Sequence, residues 1–180
     1  AYEMQRSLVD SEMCIRDRIQ GVASKLKEEG YKIGGFEAYV TSDVLNGAGM
    51  SSSAAFEVLI GNILSGLYND MKINPVFLAQ AGQYAENVYF GKPCGLMDQM
   101  ASSIGGLINI DFEDPQSPKI KKVEVDFEEY GHSLCIVDTK GSHADLTDDY
   151  AAIPYEMKKV ANYFNQEALR EVDKDDFYLN

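Results

Sequence analysis

The sequence is poor in histidine and cysteine, the residues that most often build metal sites and covalent catalytic centres. Its only histidines are His132 and His143, so neither a histidine-based catalytic triad nor a histidine-rich metal site is expected. The three cysteines, Cys14, Cys94 and Cys135, are odd in number and scattered, which predicts neither a disulfide framework nor a zinc motif. Free thiols in a reducing compartment are the simplest interpretation, and we expect a cytoplasmic protein.

Long apolar runs and basic charge are also scarce. No apolar stretch approaches the roughly 20 residues of a membrane helix, so no membrane partner is expected. Lysine and arginine number 16 against 29 aspartates and glutamates, giving a formal net charge of −13 over 180 residues. Because this charge would repel phosphates, no nucleic-acid partner is expected either. The 45% hydrophobic and 25% charged content is typical of a globular protein.

The first 18 residues differ from the rest of the chain. They show no sustained hydrophobic period and no signal-peptide core. The stretch from Ser11 to Arg18 looks like translated adapter or non-coding sequence, and we predict that residues 1–18 are a non-native leader. Resequencing the locus tests this hypothesis, which a native reading frame running through these residues would contradict.

From Ile19 onward, helical and strand periods are mixed without regular βαβ alternation, which favours an α+β class. Helices are predicted over Ile19–Glu29, from the serines at 51–53 to about Tyr68, and over Asn74–Tyr89, Leu96–Ser103 and Thr147–Phe164. Strands are predicted over Phe36–Val40, Leu107–Phe112, Ile120–Phe127 and Ser133–Asp138. On the helix after the serines, one face is predicted to carry Ala55, Val58, Leu59, Asn62 and Ile63.

A glycine- and serine-rich loop lies between a predicted strand and a predicted helix. The loop consists of Gly47, Ala48, Gly49, Met50, Ser51, Ser52 and Ser53. Glycines let the backbone approach a ligand, a helix start offers unpaired N–H groups to phosphate, and hydroxyls can ligate Mg²⁺. The loop lacks the lysine of the common P-loop and does not match the dinucleotide fingerprint. On spacing alone, phosphate binding and a purely structural capped turn both stay open.

The loop, with Ala54 and Ala55 after it, resembles the nucleotide loop of the GHMP kinases, the superfamily of galactokinase, homoserine, mevalonate and phosphomevalonate kinases. Within that superfamily, Gly95-Leu96-Met97-Asp98-Gln99 resembles the galactokinase acid motif, and Glu86 lies 12 residues before Asp98 as the family's metal-binding glutamate does. The resemblance covers about Ile19 to Phe164. It implies a truncated GHMP kinase fold of the α+β class. Residues 19–112 would form part of the N-terminal, ATP-binding domain, which is like domain 2 of ribosomal protein S5. Residues 113–180 would form the start of the C-terminal domain.

The resemblance also implies roles for individual residues. Residues 47–53 would cradle the phosphates of ATP, and Ser53 and Glu86 would hold Mg²⁺. Asp98 would be the catalytic base that takes the proton of the C1 hydroxyl of galactose. Gly95, Asp98 and Tyr150 would contact the sugar. It implies a cytoplasmic enzyme of galactose metabolism that is a monomer when full length.

Several alternatives to these roles stay open from the residues alone. Glu86 could be a solvent-facing helix residue. Asp98 could be an acid at a helix N-terminus that interacts with the helix dipole and has no catalytic role. Tyr150 lacks the arginines that often follow in the family, so a core tyrosine is nearly as good an interpretation. Cys94 is better explained as a packing residue than as a nucleophile.

Alternatives also stay open for the whole protein. They are N-acetylgalactosamine kinase or another GHMP member, a galactokinase-like regulatory protein that binds sugar and ATP, and an α+β binding module with a coincidental loop. The family's Pro-Gly-Arg and Gly-Glu-His segments are not found before Ile19, and its third glycine-rich motif, which lies near the family's C-terminus, is not reached by Asn180. We therefore expect the intact gene to encode an active kinase and the 180-residue chain to be inactive.

Overall fold

Helix α1 opens the structure, a computed structural model that describes residues 9–43, 49–137 and 147–179. The helices are α1 (Val9–Glu28), α2 (Ser52–Tyr68), α3 (Pro75–Tyr84), α4 (Met97–Ile104), α5 (Thr147–Tyr163) and α6 (Lys174–Leu179). A π-helical turn, Ala85–Tyr89, extends α3, and short 3-10 turns span Glu128–Tyr130 and Leu169–Glu171. Two strands, β1 (Ile108–Asp111) and β2 (Lys119–Lys122), complete the elements.

The chain divides into two compact units, Ala1–Ser142 and His143–Asn180. The first holds α1 to α4 and the two strands, and the second holds α5 and α6. In the described parts of both units, no helix combines the length and the apolar composition that crossing a membrane would require.

Local sequence signals explain where the helices of the first unit begin and end. Gly30 has φ 83°, and Gly30 N–H and Tyr31 N–H donate to the carbonyls of Lys27 and Leu26, so α1 ends in a Schellman motif. Asn74 accepts a hydrogen bond from Val76 N–H at 2.8 Å, and Pro75 follows as the first residue of α3. The predicted helix boundaries at these two sites are confirmed.

The core of the first unit is formed mainly by α1, α2 and α3. Its larger cluster of buried apolar side chains consists of Val22, Leu26, Ile60, Leu64, Ile73, Leu78 and Ala85. A second cluster of Ala79, Leu96 and Met100 packs against residues of the β1–β2 hairpin. These two clusters position the N-terminal ends of α2 and α4, which carry the predicted site residues.

The sheet is smaller than the sequence predicts. β1 and β2 pair antiparallel, with Ile110 opposite Ile120, so the two predicted strands there exist in shortened form. The predicted strands Phe36–Val40 and Ser133–Asp138 do not form within described residues 31–43 and 132–137. Alternation marks a strand only where a partner supplies hydrogen bonds, and neither segment pairs with another described segment.

The buried face of α2 also differs from the predicted one. Its buried residues are Ala54, Glu57, Val58, Ile60, Gly61, Leu64 and Ser65, whereas Leu59 is 39% exposed. The helix is therefore rotated from the predicted orientation, and a glutamate faces the interior.

Candidate functional site

The described part of the glycine- and serine-rich loop leads directly into α2. Gly47 and Ala48 lie outside the described residues, so their predicted role stays a prediction. Gly49 has φ 70°, and Ser51, the residue before α2, has φ 53° and ψ 40°. Ser51 is thus in the left-handed region that few non-glycine residues adopt. Its side chain makes no capping hydrogen bond to the helix, so it does not occupy the first N–H groups of α2.

The hydroxyl of Ser51 is directed instead to the second predicted motif. Ser51 Oγ donates a hydrogen bond to Asp98 Oδ2 at 2.7 Å, across 47 residues of sequence. Asp98 lies in the first turn of α4 and is exposed, so its carboxylate is accessible to a ligand. An acid in the first turn also interacts favourably with the helix dipole, so the catalytic and dipole interpretations are compatible. The structure brings the loop and the acid motif into contact.

Glu86 lies in the π-helical turn after α3 and is only 2% exposed. The alternative interpretation as a solvent-facing residue is therefore wrong. Arg18 Nη2 donates to Glu86 Oε1 at 3.1 Å, and the Arg18 guanidinium also stacks 4.5 Å from the centre of the Phe90 ring. Glu86 Oε2 is buried and has no hydrogen-bond partner among the described residues.

The residue that sequence reasoning missed is Glu57, which has no exposed surface. Arg18 Nε donates to Glu57 Oε1 at 3.1 Å, and Gln99 Nε2 donates to Glu57 Oε2 at 3.3 Å. Burial first, and the charge of Glu86 second, raise the pKa of Glu57 from 4.5 to about 8, against the opposing effects of the Gln99 hydrogen bond and the Arg18 charge. One sequence signal could have found Glu57. It follows Ser53 of the loop by four residues, and that spacing places both side chains on one side of α2.

This raised pKa predicts that acid stabilises the folded protein. Between pH 4.5 and about 8 the folded protein keeps a proton on Glu57 that the unfolded chain has released, so the free energy of unfolding falls as pH rises. The contribution is complete below pH 4.5 and is lost above about pH 8. In Glu57→Gln the free energy of unfolding should fall by roughly 3 kcal/mol less than in the wild type between about pH 5 and 8.

Urea unfolding at several pH values, without metal or nucleotide, measures this effect. Ser65→Ala is the matched control, because Ser65 is also a buried polar residue of α2 and its hydroxyl accepts from Ile73 N–H. The control should keep the slope of the wild type. A Glu57→Gln variant with an unchanged slope would contradict the prediction.

Cys94 lies beside the acid motif, and its sulfur contacts the buried side chain of Gln99. Burial first, and the charge of Glu86 second, raise the pKa of its thiol to about 11. Near neutral pH the sulfur is therefore a thiol, which is a weak nucleophile. Gln99 Nε2 lies 3.7 Å from Cys94 Sγ, and this contact favours the packing interpretation.

The residues predicted to hold Mg²⁺ fit that ion in their donor chemistry. Mg²⁺ prefers oxygen ligands and needs only one or two from protein, which a hydroxyl and a carboxylate can supply. Glu86 Oε2 is a buried carboxylate oxygen without a partner in the described structure, as a metal ligand would be. Across the described ranges no group of three or more His, Cys, Asp or Glu side chains converges on a metal position. Ser53 and Glu86 as ligands remain a prediction.

The two remaining sugar-contact predictions are placed but not tested. Gly95 is exposed, and a Cβ added there would meet nothing within 4 Å, so the packing of the described residues does not itself require glycine. Tyr150 lies in α5, in the second unit, and its side chain is outside the described atoms.

One known family matches half of the chain. Residues 17–106 match the model of the GHMP kinases N terminal domain. This range contains the loop, Glu86 and the acid motif, as well as Arg18 and Glu57.

Individual relatives agree with the family match. The chain is 46% identical over 101 residues to galactokinase from Pyrococcus furiosus, covering 56% of the chain and 28% of that protein. It is 30% identical over 177 residues to galactokinase from Actinobacillus pleuropneumoniae serotype 5b, covering 98% and 45% respectively. The chain thus spans less than half the length of these relatives.

A solved structure has the same fold. The chain superposes on Lactococcus lactis galactokinase complexed with galactose with a TM-score of 0.69 and 24% sequence identity. The match covers 99% of this chain and 45% of that one. The predicted α+β fold is confirmed by this match and by the family model.

Proposed function

The chain belongs to the GHMP kinase family, and from that premise we propose that it is part of a galactokinase. The proposed reaction transfers the γ-phosphoryl group of ATP to the C1 hydroxyl of galactose and gives galactose 1-phosphate. The observation that carries the proposal is the hydrogen bond from Ser51 Oγ to Asp98 Oδ2, since it joins the phosphate loop to the acid motif. The match to a structure solved with galactose supports the choice of sugar.

The arrangement of Ser51 and Asp98 suits phosphoryl transfer. This chemistry depends mainly on positioning and on stabilisation of charge. Asp98 is exposed on one side and fixed by the Ser51 hydroxyl on the other, so it can accept the proton of a sugar hydroxyl without reorienting. Residues 47–53 would hold the phosphates, and Gly95 and Tyr150 would contact galactose.

The orientation of the Ser51 hydroxyl also bears on ATP binding. Because its hydroxyl donates to Asp98 and does not cap α2, the first N–H groups of that helix are left for phosphate oxygens. Mg²⁺, held by Ser53 and Glu86, would neutralise charge on the phosphates. The Glu86 oxygen without a partner supports this assignment.

A substrate panel on the product of the full reading frame that contains this chain tests the proposal. Galactose-dependent release of ADP, with an anomeric phosphate in the ³¹P NMR spectrum, is the expected result. N-acetylgalactosamine and mevalonate serve as competing acceptors, and preferential turnover of either would assign the protein to another GHMP kinase. ATP binding without turnover of any acceptor would instead favour a regulatory protein.

A further inference from the structure

Glu57 connects three helices of the first unit at one buried point. It lies on α2, one turn after Ser53, and both of its carboxylate oxygens have partners. Oε1 accepts from Arg18 of α1, and Oε2 accepts from Gln99 of α4. Glu57 and Gln99 are both buried, at 0% and 2% exposure, so their hydrogen bond is shielded from water.

Gln99 is the residue next to Asp98, so its position affects the acid. The Gln99 amide group donates to Glu57 Oε2 at 3.3 Å and contacts Cys94 Sγ, while its Oε1 has no partner in the described structure. Among the described residues the amide is therefore held through its nitrogen alone, and its one hydrogen bond to another helix goes to Glu57.

Gly82 of α3 allows Glu57 and Gln99 to approach each other. A Cβ at position 82 would lie 3.1 Å from Gln99 Cγ and 3.2 Å from Glu57 Cβ, both tighter than ordinary contact. The two side chains thus pack against the bare backbone of α3. A buried hydrophobic residue at position 57 would avoid the cost of burying a polar carboxyl group, so the glutamate is not explained by stability alone.

We infer that Glu57 is a positioning residue that sets the placement of Asp98 relative to the phosphate loop through its hydrogen bond with Gln99. α2 begins at the phosphate loop and α4 carries Asp98. The hydrogen bond from Gln99 to Glu57 therefore joins the helix that follows the loop to the helix that carries the proposed base. The Ser51–Asp98 hydrogen bond lies at the exposed end of the same junction. The inference rests on the proposed function, because it concerns the placement of the proposed base.

Kinetics of galactose phosphorylation by the full reading frame product test the inference. Glu57→Met removes the acceptor and Gln99→Leu removes the donor, whereas Glu57→Gln keeps an acceptor oxygen. We expect kcat to fall about 10²-fold in Glu57→Met and Gln99→Leu, with KM for ATP changed by less than about threefold, because misplacement of the base affects the reacting geometry. Glu57→Gln should recover kcat to within about fivefold of the wild type.

The double variant distinguishes positioning from general loss of structure. Combining Glu57→Met with Gln99→Leu should lower kcat no further than either change alone, because both break the same bond. Ser65→Ala, a buried polar change elsewhere on α2, should leave kcat unchanged even if it lowers the melting temperature. Where Glu57→Met does not fold, Gln99→Leu and Glu57→Gln carry the same test.

The outcomes separate the inference from the proposed function. The inference is wrong, and the proposed function stands, if folded Gln99→Leu keeps the kcat of the wild type. The same holds if the decreases in kcat caused by Glu57→Met and Gln99→Leu multiply in the double variant. If the wild-type protein shows no galactose-dependent turnover, the proposed function is wrong and the inference falls with it.

Discussion

Replacing Asp98 with asparagine is expected to lower kcat for galactose phosphorylation by about 10²–10⁴-fold, the range that a general base contributes. The substitution keeps the size of the side chain and an oxygen that can accept the Ser51 hydroxyl, but it removes the group that takes the proton. Positioning of the loop should therefore survive, and KM for ATP should change by less than about threefold. Steady-state measurements on the full reading frame product, varying ATP and galactose separately, give both constants.

Two control variants isolate the role of the Asp98 carboxylate. Asp114→Asn removes an exposed carboxylate in the loop between β1 and β2 and should leave kcat unchanged. Ser51→Ala removes the hydroxyl that orients Asp98 and should lower kcat by about 10-fold, less than loss of the base itself. An Asp98→Asn protein with kcat within tenfold of the wild type would exclude Asp98 as the base, leaving the dipole interpretation for this residue.

The sequence predicted the elements that depend on local signals. The Gly30 stop and the Asn74-Pro75 start are short-range features, and both occur where they were predicted. Within described residues 36–40 and 133–137 the predicted strands did not form, because pairing depends on partner segments that an alternating pattern does not supply. The Ser51–Asp98 contact spans 47 residues, and only the resemblance to a kinase family suggested that the two motifs meet.

Glu57 shows why part of the site could not be predicted. A helical hydrophobic period counts apolar residues, so a glutamate is assigned to the solvent side by default. Its burial depends on the convergence of α1, α3 and α4 at one point, and on partners that are distant in sequence: Arg18 and Gln99 lie 39 and 42 residues away. Glu86 was found only because the family resemblance fixes its distance from Asp98.

Replacing Arg18 with methionine is expected to lower the free energy of unfolding by about 3–5 kcal/mol near pH 8. The Arg18 side chain is 14% exposed and binds Glu57 and Glu86, whose side chains are 0% and 3% exposed. Methionine preserves packing against Phe90 but leaves two buried acids without their cation. The loss should be smaller near pH 5, because Glu57, with its pKa raised to about 8, is then protonated.

Urea unfolding of the 180-residue chain at both pH values measures this loss. Arg16→Met is the matched control, since Arg16 lies on the same helix but is exposed, and its effect should stay within about 0.5 kcal/mol. Adding Glu57→Gln to Arg18→Met should recover part of the lost stability near pH 8, because one of the two uncompensated charges disappears. A loss below about 1 kcal/mol near pH 8 that Glu57→Gln does not change would show that Arg18 does not neutralise this pair.

The Arg18 result bears on the prediction that residues 1–18 are a non-native leader. Helix α1 runs from Val9 through Arg18 without interruption, and the family match begins at residue 17. A large loss of stability would mean that the folded domain uses a cation from this segment to compensate Glu57 and Glu86. If resequencing then replaced residues 1–18 with a different native segment, that segment would have to supply a cation at the same point. Otherwise the charge of Glu86 would act on Glu57 with no cation beside them, which would raise the pKa of Glu57 further.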